Sequence, residues 1–230
     1  MRRRRFDMRL EACPDGVPLD RTKSFMTGRD CVFTVLFGGH EDLLEQPTAG
    51  TSTVDFIYFT DEAELQSETW RVIHVEPVLP ADTVRSSRFP KICPHYFLHD
   101  YERSLYIDNA VLLHRPPEDL MERVDPGRHG RWVLYPTAFR KTLEDEFAAV
   151  LEAGFDTREV CLEQLRHYRH TRTDILRLRP IAGGILARRH RRPDIIDAMN
   201  RAIEHSWADR VRLALPQRWG LLNRAMRNRW

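Results

Sequence analysis

The sequence predicts an α/β fold in which a mixed, mostly parallel sheet is flanked by helices. Short β-branched and aromatic runs fill the first half of the chain, and segments with helical spacing dominate the last third. Polar or glycine residues follow three of the runs, namely Gly38 with Gly39, Asp61 and Asp108. Because ligands bind at the carboxyl ends of parallel strands, we expect these residues to converge on one crevice.

Three strands are predicted before residue 80. The run CVFTVLFGG (Cys31–Gly39) ends at two glycines, which is typical of a buried strand followed by a tight turn. VDFIYFTDE (Val54–Glu62) repeats this pattern and ends in polar residues, and WRVIHVEPV (Trp70–Val78) alternates before it ends at prolines. Residues 1–29 mix Arg, Pro, Asp and Gly, so we expect an irregular lead-in to the sheet.

The middle of the chain is predicted to alternate between helix and strand. A helix is expected from about Ser86 to His99, although two prolines would interrupt it. RSLYIDNAVLLH (103–114) predicts a strand, a short break and a second strand. PPEDLMERV (116–124) opens a helix with proline in its first turn, and RWVLYP (131–136) predicts a further strand.

Helices are predicted to dominate the last third. Residues 139–154 and 156–170 both have helical spacing, and Asp156 is the expected N-cap of the second helix. IAGGILARRH (181–190) predicts a short strand pair or a hairpin edge. Residues 193–215 have helical spacing again. The sheet is therefore expected to be complete before the last helix begins.

The composition fits one soluble domain. A chain of 230 residues with 42% hydrophobic and 30% charged residues can bury most of its apolar surface in one core. The four cysteines lack the spacing of a zinc site or a disulfide framework, which favours reduced thiols. The arginine-rich start has no apolar signal segment, and no stretch approaches 18 uncharged apolar residues. We therefore expect a cytoplasmic protein.

Arginine supplies nearly all of the positive charge. Only Lys23, Lys91 and Lys141 are lysines among 36 basic residues, a bias that a GC-rich genome explains without any phosphate ligand. The net charge is +2, and the arginines lie among acids without a stripe of aromatics, so no nucleic-acid partner is expected. The basic amphipathic tail at 216–230 would suit peripheral contact with the inner membrane face, packing on the domain, or a dimer contact.

Taken together, the motifs resemble one known family. FTVLFGGHEDL, DFIYFTDE, RSSRFPKICPHYFLHDYERSLYIDNAVLL and GGILARRH resemble the glycosyltransferase-like family long catalogued as a domain of unknown function, with plant pollen-wall, seed-mucilage and bacterial members. The similarity spans roughly residues 32–215 and is most specific in SRFPKICPHYFL and SLYIDN. It implies a GT-A-like glycosyltransferase with a single Rossmann-type domain over residues 30–215. Such a domain would move a sugar from a nucleotide-diphosphate-sugar donor to a glycan or lipid-linked acceptor.

The resemblance implies a catalytic and metal-binding role for Asp108. It stands at the place of the DxD-type motif, whose carboxylate meets the divalent cation on the donor diphosphate. Mn²⁺ or Mg²⁺ needs only one or two protein carboxylates and would neutralise the leaving diphosphate. Ala110 stands where a second acid would be, so cationic side chains are the alternative carriers of that charge. A hydrogen-bonded turn residue is the alternative role of Asp108.

Further nucleotide-sugar contacts follow from the same resemblance. Arg85, Arg88 and Lys91 are spaced by three, as on one helix face, and guanidinium groups suit phosphate oxygens. A solvated charged face is the alternative for these cations, and a plain turn is the alternative for the glycines and Asp61. The predicted nucleotide-sugar contacts are Phe37, Gly38, Gly39, Asp61, Arg88, Lys91 and Asn109.

Two late residues complete the predicted site. His190 resembles a late family histidine that would complete a metal shell or touch the diphosphate, with a surface position in an arginine cluster as the alternative. Asp209 is a candidate catalytic base for the acceptor hydroxyl, and a surface salt bridge is its alternative. His95 is expected to support the site by hydrogen bonding.

Two rival functions stay open at this point. A non-catalytic nucleotide-sugar or glycan-binding module is favoured by Ala110, which removes the second acid of the motif. An arginine-rich phosphate- or nucleic-acid-binding protein would show an affinity that falls steeply with salt.

Overall fold

A computed structural model describes residues 29–123, 132–136, 140–154 and 156–206. Its centre is one six-stranded sheet, and helices lie on both faces. The strands are β1 (Asp30–Leu36), β2 (Asp55–Thr60), β3 (Arg71–His74), β4 (Arg103–Ile107), β5 (Trp132–Pro136) and β6 (Ile181–Arg188). The helices are α1 (Thr83–Ser86), α2 (Arg88–Ile92), α3 (Glu118–Arg123), α4 (Leu143–Glu152), α5 (Arg158–Thr171) and α6 (Pro193–Ser206), with 3₁₀ turns at Ala49–Thr51, Pro94–Tyr96 and Thr173–Arg177.

The strand order is β3-β2-β1-β4-β6-β5. The first four strands in this order pair in parallel, whereas β6 runs antiparallel to both of its neighbours. The predicted α/β class, with a mixed and mostly parallel sheet flanked by helices, is confirmed. The carboxyl ends of β1, β2 and β4 therefore meet at one edge of the sheet.

Alternation along the strands divides the core between the two faces of the sheet. Val32 and Leu105 point to the face that α3 and Trp70 cover. Phe33 and Tyr106 point to the opposite face, which the segment around Leu98 covers. A third cluster (Phe89, Cys93, Ile195 and Met199) joins α2 to α6 on that side. The period-two pattern thus builds a core on both faces, as a parallel sheet requires.

The interruption predicted for the helix over about 86–99 occurs, since α1 ends at Ser86 and the rest of the segment holds two short elements, α2 and the 3₁₀ turn Pro94–Tyr96. Pro90 lies within the first turn of α2, where its missing N–H leaves no helical bond unmade. Pro94 begins the following 3₁₀ turn. The expected N-cap of α5 differs by one residue, since the Thr157 hydroxyl accepts from the Val160 N–H.

Two strand predictions also differ from the structure. No second strand follows β4, because Gln46 holds residues 111–113 as a loop by bonding Val111 O at 2.9 Å and Leu113 N at 3.0 Å. Residues 181–188 form one continuous strand rather than a hairpin edge, with a partner strand on each side. The two glycines within the run favour a turn locally, yet both stand inside β6.

Within the part of the chain that the structure describes, no helix is long and apolar enough to cross a membrane. Residues 1–28 of the lead-in predicted at 1–29, the tail at 216–230 and Asp209 lie outside the described residues. The domain boundaries predicted for them stay predictions.

Candidate functional site

Asp108 directly follows β4 at the carboxyl edge of the sheet. Its N–H donates to the Gly184 carbonyl at 2.8 Å, which fixes the backbone against β6. The Lys91 ammonium of α2 donates to Asp108 Oδ1 at 2.9 Å. The carboxylate side chain is 45% exposed and that of Lys91 is 24% exposed, so the ion pair opens to solvent. The Lys91 ammonium and the Asp108 carboxylate thus lie at the edge of the sheet where α/β folds bind ligands.

Tyr106 contacts both residues of this ion pair. It lies on β4, two residues before Asp108, and both side chains lie on one face of the sheet. Its hydroxyl donates to Asp108 Oδ1, and the Lys91 ammonium lies 4.5 Å from the centre of its ring. Burial, followed by the Asp108 charge, raises the pKa of Tyr106, which keeps the hydroxyl protonated as a donor.

Gly183 and Gly184 of β6 leave space beside the ion pair. A Cβ placed on Gly184 would lie 3.2 Å from Asp108 Oδ2, and one placed on Gly183 would lie 3.7 Å from the Lys91 ammonium. These two glycines, Lys91, Tyr106 and Asp108 are called the Asp108 cluster below. The cluster combines an ion pair that is open to solvent with two neighbouring residues that carry no side chain.

The ends of β1 and β2 meet as the sequence predicts. The Gly38 N–H donates to Asp61 Oδ1 at 2.8 Å, which ties the two strand exits together. Gly38 has φ of +82°, and a Cβ there would lie 2.5 Å from Thr83 Oγ1, so this close turn requires glycine. Gly39 has φ of +55°. Asp61 therefore has a turn role, and its predicted nucleotide contact stays a prediction.

The remaining predicted nucleotide-sugar contacts fall in different surroundings. Phe37 is fully buried in the core, so its side chain faces no crevice. Asn109 donates to Asp42 O at 2.6 Å and pins the loop after Asp108 to the loop after β1. Arg88 is the first residue of α2. Its charge helps to lower the pKa of Asp82, but less than the hydrogen bonds and the charge of Arg85 do.

Arg85 and Lys91, which the sequence predicts to share one helix face with Arg88, pair with different acids. Arg85 belongs to α1, and its guanidinium pairs with Asp82 and, at 3.1 Å, with Asp156. The backbone stays helical between α1 and α2, since Ser87 has φ of −62° and ψ of −22°, and the common face stays a prediction. Lys91 is the member of this set that forms an ion pair with Asp108.

The donor atoms at Asp108 do not fit a resident metal ion. One carboxylate oxygen already accepts from Lys91 and Tyr106, and the described residues hold no group of three or more His, Cys, Asp or Glu that could bind a metal. A Mn²⁺ or Mg²⁺ ion would need further oxygen ligands that these residues do not supply. No mechanistic step below therefore passes through a metal.

His190 lies in the interior, not on the surface beside arginines. It is 0% exposed, and its Nε2 donates to the Leu98 carbonyl at 3.0 Å. Burial lowers its pKa to about 4, so it is neutral at pH 7. Burial likewise lowers the pKa of His95 to about 4. The metal role predicted for His190 stays a prediction that no contact supports.

Sequence reasoning missed Tyr106, the two β6 glycines and Arg188. The sequence does hold a signal for Tyr106, because residues two apart on a strand share a face and the tyrosine precedes the acid by two. The glycines lie within the GGILARRH motif, where local rules favour a turn. The sequence does not indicate a special role for Arg188, because nothing in it distinguishes this buried arginine from the many other arginines.

No known family model matches the chain, and no curated protein matches it by sequence. Among solved structures, the apo form of mouse xyloside xylosyltransferase 1 is similar, with 12% sequence identity and a TM-score of 0.44. The similarity covers 79% of this chain and 74% of that one. At these values it does not assign an activity to the chain.

Proposed function

We propose that the chain is a glycosyltransferase that moves a sugar from a nucleotide-diphosphate-sugar donor to a glycan or lipid-linked acceptor. The observation that carries the proposal is the partly exposed ion pair of Lys91 and Asp108 at the carboxyl edge of the sheet. The edge is where α/β sheets bind ligands. The motif resemblance around SLYIDN supports the same assignment.

Lys91 would stabilise the leaving group. In the transfer, the bond between the sugar C1 and the diphosphate oxygen breaks, and its electron pair leaves with the diphosphate. The acceptor hydroxyl oxygen forms the new bond to C1 and passes its proton to a base, for which Asp209 is the predicted candidate. An ammonium group that exchanges Asp108 for the diphosphate would stabilise the negative charge as it develops. Arg88, at the start of the same short helix, would add a second positive charge.

Asp108 would orient the sugar. When Lys91 turns to the diphosphate, the Tyr106 hydroxyl continues to donate to Asp108 Oδ1, so the carboxylate keeps its position. Oδ2 then faces the space beside Gly184 and can accept a sugar hydroxyl. The nucleoside would lie toward Gly38, Gly39 and Asp61, whose strand ends adjoin that of β4 through β1.

A non-catalytic nucleotide-sugar or glycan-binding module is the second candidate. Lys91 and Asp108 neutralise each other, and Ala110 supplies no second acid. Such a module would bind the donor without hydrolysis or transfer.

A thermal-shift titration with UDP, GDP, CDP and their sugar conjugates tests the donor site. A ligand that binds only the folded state raises the melting temperature, so one nucleotide family should stabilise the protein. Lys91→Met should abolish that stabilisation, and Lys141→Met, at the exposed lysine before α4, should keep it. The proposal predicts the same shift in EDTA and in Mn²⁺, because Lys91 and not a metal carries the charge.

Three outcomes would redirect the assignment. No response to any nucleotide, with salt-sensitive binding to polyanions, would favour the arginine-rich rival. Equal stabilisation of wild type and Lys91→Met would show that the Asp108 cluster is not part of the donor site. Binding of the donor without release of nucleoside diphosphate, measured by mass spectrometry with candidate acceptors, would favour the binding module.

A further inference from the structure

Arg188, at the end of β6, is a buried arginine beneath the Asp108 cluster. It is 2% exposed and faces the same side of the sheet as Phe33, whose ring centre lies 6.0 Å from its guanidinium carbon. It pairs across the strands with Ser104 of β4, two residues before Tyr106. The side chain thus occupies the space between the sheet and α2.

The guanidinium holds the carboxyl end of α2 by two contacts. Nη2 donates to the Lys91 carbonyl at 2.7 Å, and Nη1 donates to the Ile92 carbonyl at 3.3 Å. The last carbonyls of a helix lack helical partners, so a cation placed there satisfies them and stabilises the helix end. The backbone of Lys91 is therefore fixed from inside the protein while its ammonium reaches Asp108.

The charge of Arg188 has no acidic counterpart among the described side chains within ion-pair distance. Burial lowers its pKa to about 10, so the group still carries its charge at pH 7. A buried cation whose partners are two carbonyls and, at 4.0 Å, the Met199 sulfur costs several kcal/mol, and an apolar side chain of similar volume would avoid this cost. Filling space therefore does not account for an arginine here.

The positive charge of Arg188 also affects the pKa of neighbouring buried groups. It opposes the rise in the pKa of Tyr106, and it contributes, after burial, to the lowered pKa of His95 and His190. Both histidines stay neutral chiefly because they are buried. Lys91 is therefore the cation of this set that reaches solvent beside Asp108, where it can meet an anionic ligand.

We propose that Arg188 is a positioning residue that fixes Lys91 for an anionic diphosphate ligand. Its two hydrogen bonds to the Lys91 and Ile92 carbonyls fix the position of α2 relative to the sheet. From this position the Lys91 ammonium can leave Asp108 and bind phosphate oxygens. A lysine at 188 carries its three N–H donors on a single nitrogen at the end of a flexible stem, so it does not reproduce the planar fork that reaches both carbonyls. The identity of the ligand rests on the proposed function.

A double-mutant cycle with inorganic pyrophosphate tests the proposal. Pyrophosphate affinity is measured by calorimetry for wild type, Arg188→Lys, Arg188→Met, Lys91→Met and the double variant Arg188→Lys with Lys91→Met. We expect Arg188→Lys to weaken binding about tenfold and to add less than about twofold in the Lys91→Met background, because coupled residues are non-additive. Arg192→Lys, at a half-exposed pair with Asp194, is the matched control and should keep wild-type affinity.

The outcomes separate this proposal from the proposed function. Wild-type affinity in folded Arg188→Lys, or equal losses in both backgrounds, overturns the positioning role and leaves the donor site standing. If Lys91→Met alone keeps full affinity, or wild type binds no pyrophosphate, the diphosphate site itself fails and this inference fails with it. Arg188→Lys retains the charge, so the cycle remains readable where Arg188→Met unfolds.

Discussion

At the scale of single residues, the ion pair of Lys91 and Asp108 is suited to exchange rather than to stability. A partly exposed pair contributes about 0 to 1 kcal/mol to folding, so breaking it for a ligand requires little free energy. Tyr106 remains bonded to the carboxylate when the lysine leaves. The pair can therefore open without leaving a buried charge unsatisfied.

Asp108→Asn should separate anion binding from transfer. Removing the carboxylate frees Lys91, so we expect pyrophosphate to bind up to about fivefold more tightly, the equivalent of one partly exposed ion pair. Sugar transfer should fall by at least about a hundredfold, because the neutral amide accepts the sugar hydroxyl more weakly than the carboxylate and no longer orients the sugar. Calorimetry and a transfer assay measure the two effects, and weaker pyrophosphate binding would contradict the exchange mechanism.

Gly184→Ala should disturb the site more than the fold. The new Cβ would lie 3.2 Å from Asp108 Oδ2, so the exposed carboxylate has to move by a few tenths of an ångström. We expect transfer to fall about tenfold with a change in unfolding free energy below about 1 kcal/mol. Gly50→Ala is the control, since no atom lies within 4 Å of a Cβ there. An unchanged transfer rate would remove β6 from the site.

At the scale of elements, Gln46 determines the path of the chain after β4. Its buried amide bonds Val111 and Leu113, which gives the loop after Asp108 the fixed course that a strand would have supplied. The carboxylate therefore leaves the sheet into a rigid loop. Long-range contacts of this kind have no local sequence pattern, so the apolar run alone predicts a second strand in place of the loop.

Gln46→Ala should destabilise the protein by about 2 to 6 kcal/mol. The Leu113 N–H and the Val111 carbonyl would both lose their buried partner, and unsatisfied buried groups cost about 1 to 3 kcal/mol each. Urea unfolding measures the change. Gln164→Ala, which removes a single bond to Tyr168 on α5, is the control and should lose less than about 1 kcal/mol. Equal losses in both variants would contradict the anchoring role of Gln46.

Local patterns predict the parallel strands but not the elements that complete the site. β1 and β2 follow from β-branched and aromatic runs that end in turn residues, and their exits do converge. The single strand β6 and the short helix α2 depend on partners far along the chain. The placement of Lys91 against Asp108 cannot be read from spacing, because it depends on where α2 ends.

At the scale of the whole molecule, buried neutral histidines link stability to pH. His190 has a pKa of about 4 in the folded protein against an ordinary value of 6.5, with burial as the main cause. The unfolded chain therefore binds a proton at higher pH than the folded protein. The stabilising contribution is complete above pH 6.5 and is lost as the pH falls toward 4.

Urea unfolding between about pH 7.5 and pH 4 should show this loss. His190 alone should account for about 3 kcal/mol over that interval. His190→Gln removes one of two such titrations and should reduce the loss by about half, because His95 keeps its own lowered pKa. His99→Gln, at an exposed histidine, should keep the wild-type slope. A wild-type slope in His190→Gln would show that His190 does not carry its share of the acid sensitivity.

The position of β6 has a consequence for the synthesis of the chain. β4 and β5 are made before β6, yet each pairs with it, and β5 has no other strand partner in the described sheet. Until residue 188 has left the ribosome, β4 presents an apolar edge that can pair with another nascent chain. By covering the edge of β4, β6 therefore also protects the protein from aggregation. A chain truncated before residue 181 should accumulate in inclusion bodies.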